Sequence, residues 1–111
     1  MAKSDRRRSI WKKANGLCAH CGKVTGATSQ TVDHAIPKSL GGGDDLRNLM
    51  PLCRKCNSVR GANNVKPARF YKYASRESIS DLYAYRREWE ASHMDSYGEL
   101  IVQENEYGKT Y

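Results

Sequence analysis

Cys18-Ala19-His20-Cys21 and Cys53-Arg54-Lys55-Cys56-Asn57 bracket the middle of this 111-residue chain, with Val32-Asp33-His34 and Asn48 between them. Each Cys-x-x-Cys turn presents two sulfurs on one side of an ion, and two such turns complete a tetrahedral shell of four thiolates. Disulfide pairing is the competing use of four cysteines. The first 25 residues, however, hold no apolar signal core, and no run approaches the ~20 apolar residues of a membrane span. With no secretion route in view, Cys18, Cys21, Cys53 and Cys56 read as ligands of a structural Zn2+, and the chain reads as cytoplasmic. A closed shell of four thiolates leaves no position for water. This zinc is expected to fold the domain and to take no part in chemistry.

The residues inside the frame offer something else. Hydrolysis of a phosphodiester needs an activated water, a base to activate it, and positive charge for the developing oxyanion and the leaving oxygen. His34 supplies an imidazole, the side chain most used as a general base. Asp33 and Asn57 supply hard oxygen donors of the kind that suit Mg2+ or Mn2+. Taken singly, each residue has an ordinary explanation: an Asp-His pair is commonly a turn or a satisfied contact, and an Asn after a loop is commonly a cap. His20, between two ligands, is expected to face solvent from the knuckle.

Outward from the frame, Asp5 to Asn15 reads as a helix with Ile10, Trp11 and Ala14 on one face and Asn15-Gly16 as its stop. Thr28 to His34 reads as a strand, and Pro37 to Asp45 as a loop around Gly41-Gly42-Gly43. Leu46 to Leu52 holds a short strand that Pro51 confines to an edge. Arg54 to Gly61 is a short helix seeded by the second cysteine pair. A basic and aromatic stretch follows, with Lys66, Arg69, Phe70, Tyr71, Lys72 and Tyr73; core packing is the expected role of its aromatic rings. A second clear helix spans about Ile79 to Ala91, with Ser78 and Asp81 spaced as a capping box. Its stripe of Ile79, Leu82, Tyr83 and Trp89 belongs to the core. One domain is expected over residues 1–92, followed by an acidic, loosely ordered tail over 93–111.

Charge is divided along the chain. Residues 1–76 carry 16 Lys/Arg against 4 Asp/Glu, a net +12, while residues 77–111 carry 3 against 8, a net −5. The basic part has the footprint of a nucleic-acid binder. Lys38, Arg47, Lys55 and Arg60 flank the central residues and are the candidate phosphate contacts, which position a backbone without reading bases. The basic face of the N-terminal helix comes next.

The stretch Val32-Asp33-His34-Ala35-Ile36-Pro37-Lys38-Ser39-Leu40-Gly41-Gly42, continued by Leu46-Arg47-Asn48-Leu49-Met50-Pro51-Leu52-Cys53-Arg54-Lys55-Cys56-Asn57, resembles the HNH nuclease motif. The resemblance covers about residues 18–61. It implies the ββα-metal fold, a two-stranded hairpin and a helix around one divalent cation, here an α+β domain stapled by zinc with flanking helices. It implies His34 as general base, Asp33 and Asn57 as ligands of the catalytic Mg2+ or Mn2+, and Asn48 as the brace that holds the loop and the histidine. Asn57 stands where many members have His. The implied substrate is DNA, double-stranded, cut to 5′-phosphate and 3′-hydroxyl ends, and small stand-alone members point to a phage or bacterial source. A zinc-binding DNA-recognition module without catalysis would need the frame and the basic surface but not His34. A zinc-stapled adaptor that binds a protein partner through the acidic tail would need the frame but neither the basic surface nor His34.

Overall fold

The computed structural model of the chain describes residues 3–60 and 67–93. Lys66 and all but the first residue of the acidic tail lie outside them. Helix α1 (Lys3–Lys12) buries Ile10. The chain turns away at Asn15 and Gly16, whose φ angles of 53° and 83° are left-handed, a conformation that Asn and Gly adopt at low cost.

Strands β1 (Thr31–His34) and β2 (Leu49–Leu52) pair antiparallel, with Thr31 opposite Leu52 and His34 opposite Leu49. β1 begins three residues later than the Thr- and Val-rich composition suggests. Residues 27–29 instead form a turn, closed by the Ser29 and Gln30 amides on the Gly26 carbonyl. Pro51 sits inside β2 without breaking it, because in a two-stranded sheet each strand has a free edge. Its carbonyl accepts from the Ala19 amide at 2.9 Å, which ties the strand to the first cysteine turn.

Helix α2 (Arg54–Arg60) starts directly after Cys53 and lies on β1, completing the ββα unit of a zinc-stapled α+β core. After the single turn of α3 (Pro67–Phe70) comes α4 (Arg76–His93). Its cap is Ser75, whose Oγ accepts from the Ser78 amide at 3.1 Å. Ser78 is therefore the third helical residue and not the cap, and the helix starts a turn earlier than its apolar stripe suggests. Leu82 and Trp89 of that stripe are buried, while Ile79 and Tyr83 are half-buried. One core cluster gathers Ala14, Met50, Leu52, Tyr71 and Leu82 with Cys18 and Cys53. A second packs Ile36 on Trp89, with Leu40 and Tyr85 beside them, and so lays the loop after β1 against α4. Among the described residues no helix is long and apolar enough to cross a membrane.

That loop is held by one side chain. Asn48 is fully buried; its Oδ1 accepts from the Ile36 amide at 2.8 Å, and its Nδ2 donates to the carbonyls of Ile36 at 3.2 Å and Gly43 at 3.0 Å. These bonds use the amide's acceptor and both of its donor hydrogens on backbone, so the loop is a closed ring and not a free excursion. Gly42 seals it: its amide donates to the Pro37 carbonyl at 3.0 Å, and any Cβ there would be driven into the Ile36 carbonyl oxygen. The expected cost of Gly42→Ala is therefore about 2 kcal/mol or more, since backbone cannot move aside as a side-chain tip can. Urea denaturation of the zinc-loaded chain checks this, and an unchanged midpoint would refute the close contact.

Candidate metal and nucleic-acid site

The four cysteines converge. The first turn is closed by the Gly22 amide on the Cys18 carbonyl at 3.0 Å, and the second is the entry into α2, where the Cys56 amide reaches Cys53 Sγ at 3.5 Å. All four sulfurs lie within 4.8 Å of one another. Cys21 and Cys53 Sγ are 3.9 Å apart, against about 3.8 Å for the edge of a tetrahedron with Zn–S bonds of about 2.3 Å. The donor set and its spacing fit zinc. Burial would raise the Cys53 thiol, but the Cys56 amide and the neighbouring thiols bring it down to about 7. Burial and the surrounding sulfurs push Cys56 up. His20 does not face solvent. It is half-buried, stacks on Phe70 at 4.1 Å between ring centres, and its Nδ1 bonds the Phe70 carbonyl at 2.8 Å.

β1 carries the inner residues and sends them to opposite faces, as strand geometry requires. Thr31 and Asp33 face α2. Asn57 Nδ2 donates to Thr31 Oγ1 at 2.9 Å, and one turn on, Arg60 donates to Asp33 Oδ1 at 3.1 Å. Asp33 Oδ2 accepts from the Tyr71 hydroxyl. Both members of the Asp33–Arg60 pair are buried, with side chains 7% and 2% exposed. Burial raises the Asp33 pKa, and Arg60 and the Tyr71 hydroxyl pull it part of the way back. In donor chemistry Asp33 and Asn57 fit a hard divalent cation: each Asp33 oxygen keeps a lone pair beyond its present partner, and Asn57 keeps its carbonyl oxygen.

His34 faces the other way. It lines a cleft of about 720 Å³ with Arg6, Arg7 and Ile10 of α1 and with Val32, Asp44 and Leu49. Its Nε2 meets Asp44 Oδ1 at 2.7 Å. Arg6 donates to the Asp44 carbonyl, and Arg7 donates to the carbonyls of Gln30 at 2.5 Å and Thr28 at 3.3 Å. Arg6 and Arg7 of α1 thus line the same cleft as the histidine, although α1 lies far from it in sequence.

The four expected phosphate contacts part company. Lys38 is exposed and stands 3.8 Å from Asp44. Lys55 is exposed beside the cysteine cage, where it lines a second cleft with Lys23, Val59 and Phe70. Arg47 is held between Asp45 at 2.8 Å and Glu88 at 2.7 Å. Arg60 is turned into the interior, donating also to the Ala35 carbonyl at 3.0 Å, and it faces Asp33 instead of solvent. Tyr71 packs in the core as its aromatic stretch suggests, but its bond to Asp33 and that of Asp44 to His34 escaped the sequence reading. Tyr71 lies 38 residues from Asp33, and no local pattern signals such a contact; Asp44 was legible only as a loop acid.

Known proteins bear on this arrangement. The family described as HNH endonuclease matches residues 18–63. A CRISPR-associated endonuclease Cas9 of Corynebacterium diphtheriae is 30% identical over 80 residues, covering 67% of this chain but 7% of that protein. The chain thus corresponds to a small part of the relative it matches.

Cys53→Ser is expected to release zinc and unfold the chain, because a structural zinc site is folding free energy. Metal content with thermal unfolding checks it, and a variant with full zinc and wild-type stability would refute the cage. Arg60→Ala leaves a buried carboxylate without its cation and is expected to cost roughly 3–5 kcal/mol. A loss under about 1 kcal/mol in urea would mean that the pair is not buried in solution.

Proposed function

We propose, from the membership of residues 18–63 in the HNH endonuclease family, that the chain is a DNA endonuclease that hydrolyses phosphodiester bonds with one divalent cation. His34 is the general base. Asp33 and Asn57 hold the cation, Mg2+ or Mn2+, and Asn48 braces the loop after His34 and so helps hold the histidine and the substrate. A cation bound there supplies positive charge to the phosphate and to the leaving 3′ oxygen. The products are 5′-phosphate and 3′-hydroxyl ends.

The observation that carries this reading is the division of β1. In-line displacement at phosphorus sets the attacking and leaving oxygens on opposite sides. His34 and Asp33 are adjacent, yet one opens to the α1 cleft and the other to α2. A phosphate at the loop end of the hairpin, where His34 pairs with Leu49, is then approached by the base from one side and by the oxygen donors from the other. Arg6, Arg7 and Lys38 surround the base with positive charge, which favours a polyanion in the cleft. Lys55 adds charge at the cage. The Cas9 relative is likewise an endonuclease by name.

A second reading has its own observation. Asp33 already satisfies Arg60 and Tyr71, as it would in a zinc-stapled module that binds DNA and does not cut. One experiment separates the two. Zinc-loaded protein is incubated with supercoiled plasmid and Mg2+ or Mn2+, beside His34→Ala. Cutting by the wild type is expected, with a loss of about 10²-fold or more in the variant and DNA binding retained. Binding should weaken steeply with salt in both proteins. Equal cutting by the two sinks His34 as base, and binding without cutting by the wild type selects the recognition module.

A further inference from the structure

The loop that Asn48 closes ends in an acid that touches the proposed base. Asp44 Oδ1 is 2.7 Å from His34 Nε2, and the loop leaves it little freedom. Its own carbonyl is taken by Arg6. The Gly43 amide donates to the Tyr85 hydroxyl at 2.9 Å, and the Gly43 carbonyl is held by Asn48. The Gly41 carbonyl accepts from the Trp89 indole at 3.2 Å. An exposed carboxylate is thus carried on a backbone anchored from α1, from Asn48 and from α4.

We propose that Asp44 is the positioning residue of His34, fixing its proton on Nε2 and leaving the Nδ1 lone pair as the base. An ionised carboxylate can only accept, so the nitrogen that meets it must carry hydrogen. In a neutral imidazole the other nitrogen is then the acceptor, and a hydrogen bond to one ring nitrogen decides which one acts. The same contact, with Lys38 beyond it, holds the Asp44 carboxyl below the usual range, so it stays ionised where the histidine is neutral. Because the pair is exposed, its contribution to stability is small. Its effect is on ring orientation and tautomer. This assignment rests on His34 as the base, yet the tautomer can be read without any reaction.

The test uses the zinc-loaded full chain. The imidazole nitrogens of His34 are followed by long-range proton–nitrogen NMR at a pH where the ring is neutral, in wild type, Asp44→Asn and Asp44→Ala. The wild type is expected to carry its proton on Nε2. Both variants are expected to show a mixture of tautomers, because Asn donates as well as accepts and Ala does neither. In plasmid cutting both should lose between about 10- and 10³-fold in kcat, with DNA affinity within about twofold and the unfolding temperature unchanged. A wild-type ring protonated on Nδ1, or an Asp44→Ala variant with wild-type kcat, overturns the proposal. A wild type that does not cut defeats the nuclease reading instead, and the tautomer measurement still decides what Asp44 does to the ring.

Discussion

Four sulfur atoms within 4.8 Å of one another tie residue 18 to residue 56, and every residue between must fit the ring they close. A chain of this size buries a small core, and a metal clip is how such cores commonly reach stability. Here the clip also sets positions. Its first half is bonded to β2 through Ala19 and Pro51, and its second half is the first turn of α2. Strand and helix are therefore referenced to the same four atoms. Asn57 follows Cys56 directly, so the orientation of its side chain toward Thr31 is inherited from the cage.

From that frame the two faces of β1 acquire different characters. Toward α2 the surroundings are dry: Asp33, Arg60 and Tyr71 form a buried polar group in which each charge has a partner. A group of this kind is worth little as net stability but holds its members in one arrangement, because any other leaves a buried charge unmatched. Toward α1 the surroundings are wet and basic, with His34, Arg6 and Arg7 around a cleft. One strand four residues long separates a low-dielectric oxygen site from a solvated basic one.

The cage, the order of elements and the α+β class were legible because they rest on spacing, and spacing is what a sequence displays. The stop at Asn15-Gly16 and the tolerance of Pro51 were legible for the same local reason. The start of α4 was missed by one turn, since Ser75 and Ser78 are both good caps and the choice falls to packing. The inward turn of Arg60 was missed because an arginine next to a phosphate motif reads as surface charge. What overrides that is Asp33, 27 residues away, together with the Phe70 and Tyr71 rings 5.3 and 5.8 Å from the guanidinium. Arg47 likewise has a partner that the sequence does not announce: Glu88, 41 residues on, meets it across the turn. For both arginines the deciding partner is long-range, and no periodicity announces it.

Helix α4 lies wholly outside residues 18–63, yet it reaches the central loop three times, through Trp89 on Gly41, Tyr85 on Gly43 and Glu88 on Arg47. The motif is thus not a self-sufficient cassette. Its four cysteines all lie inside the matched residues, while the loop that walls the histidine is anchored by a helix that the motif does not specify. Chains that share the motif but differ in this helix are free to set that wall at different angles. Variation among such proteins can then arise from a segment that never touches the reacting atoms.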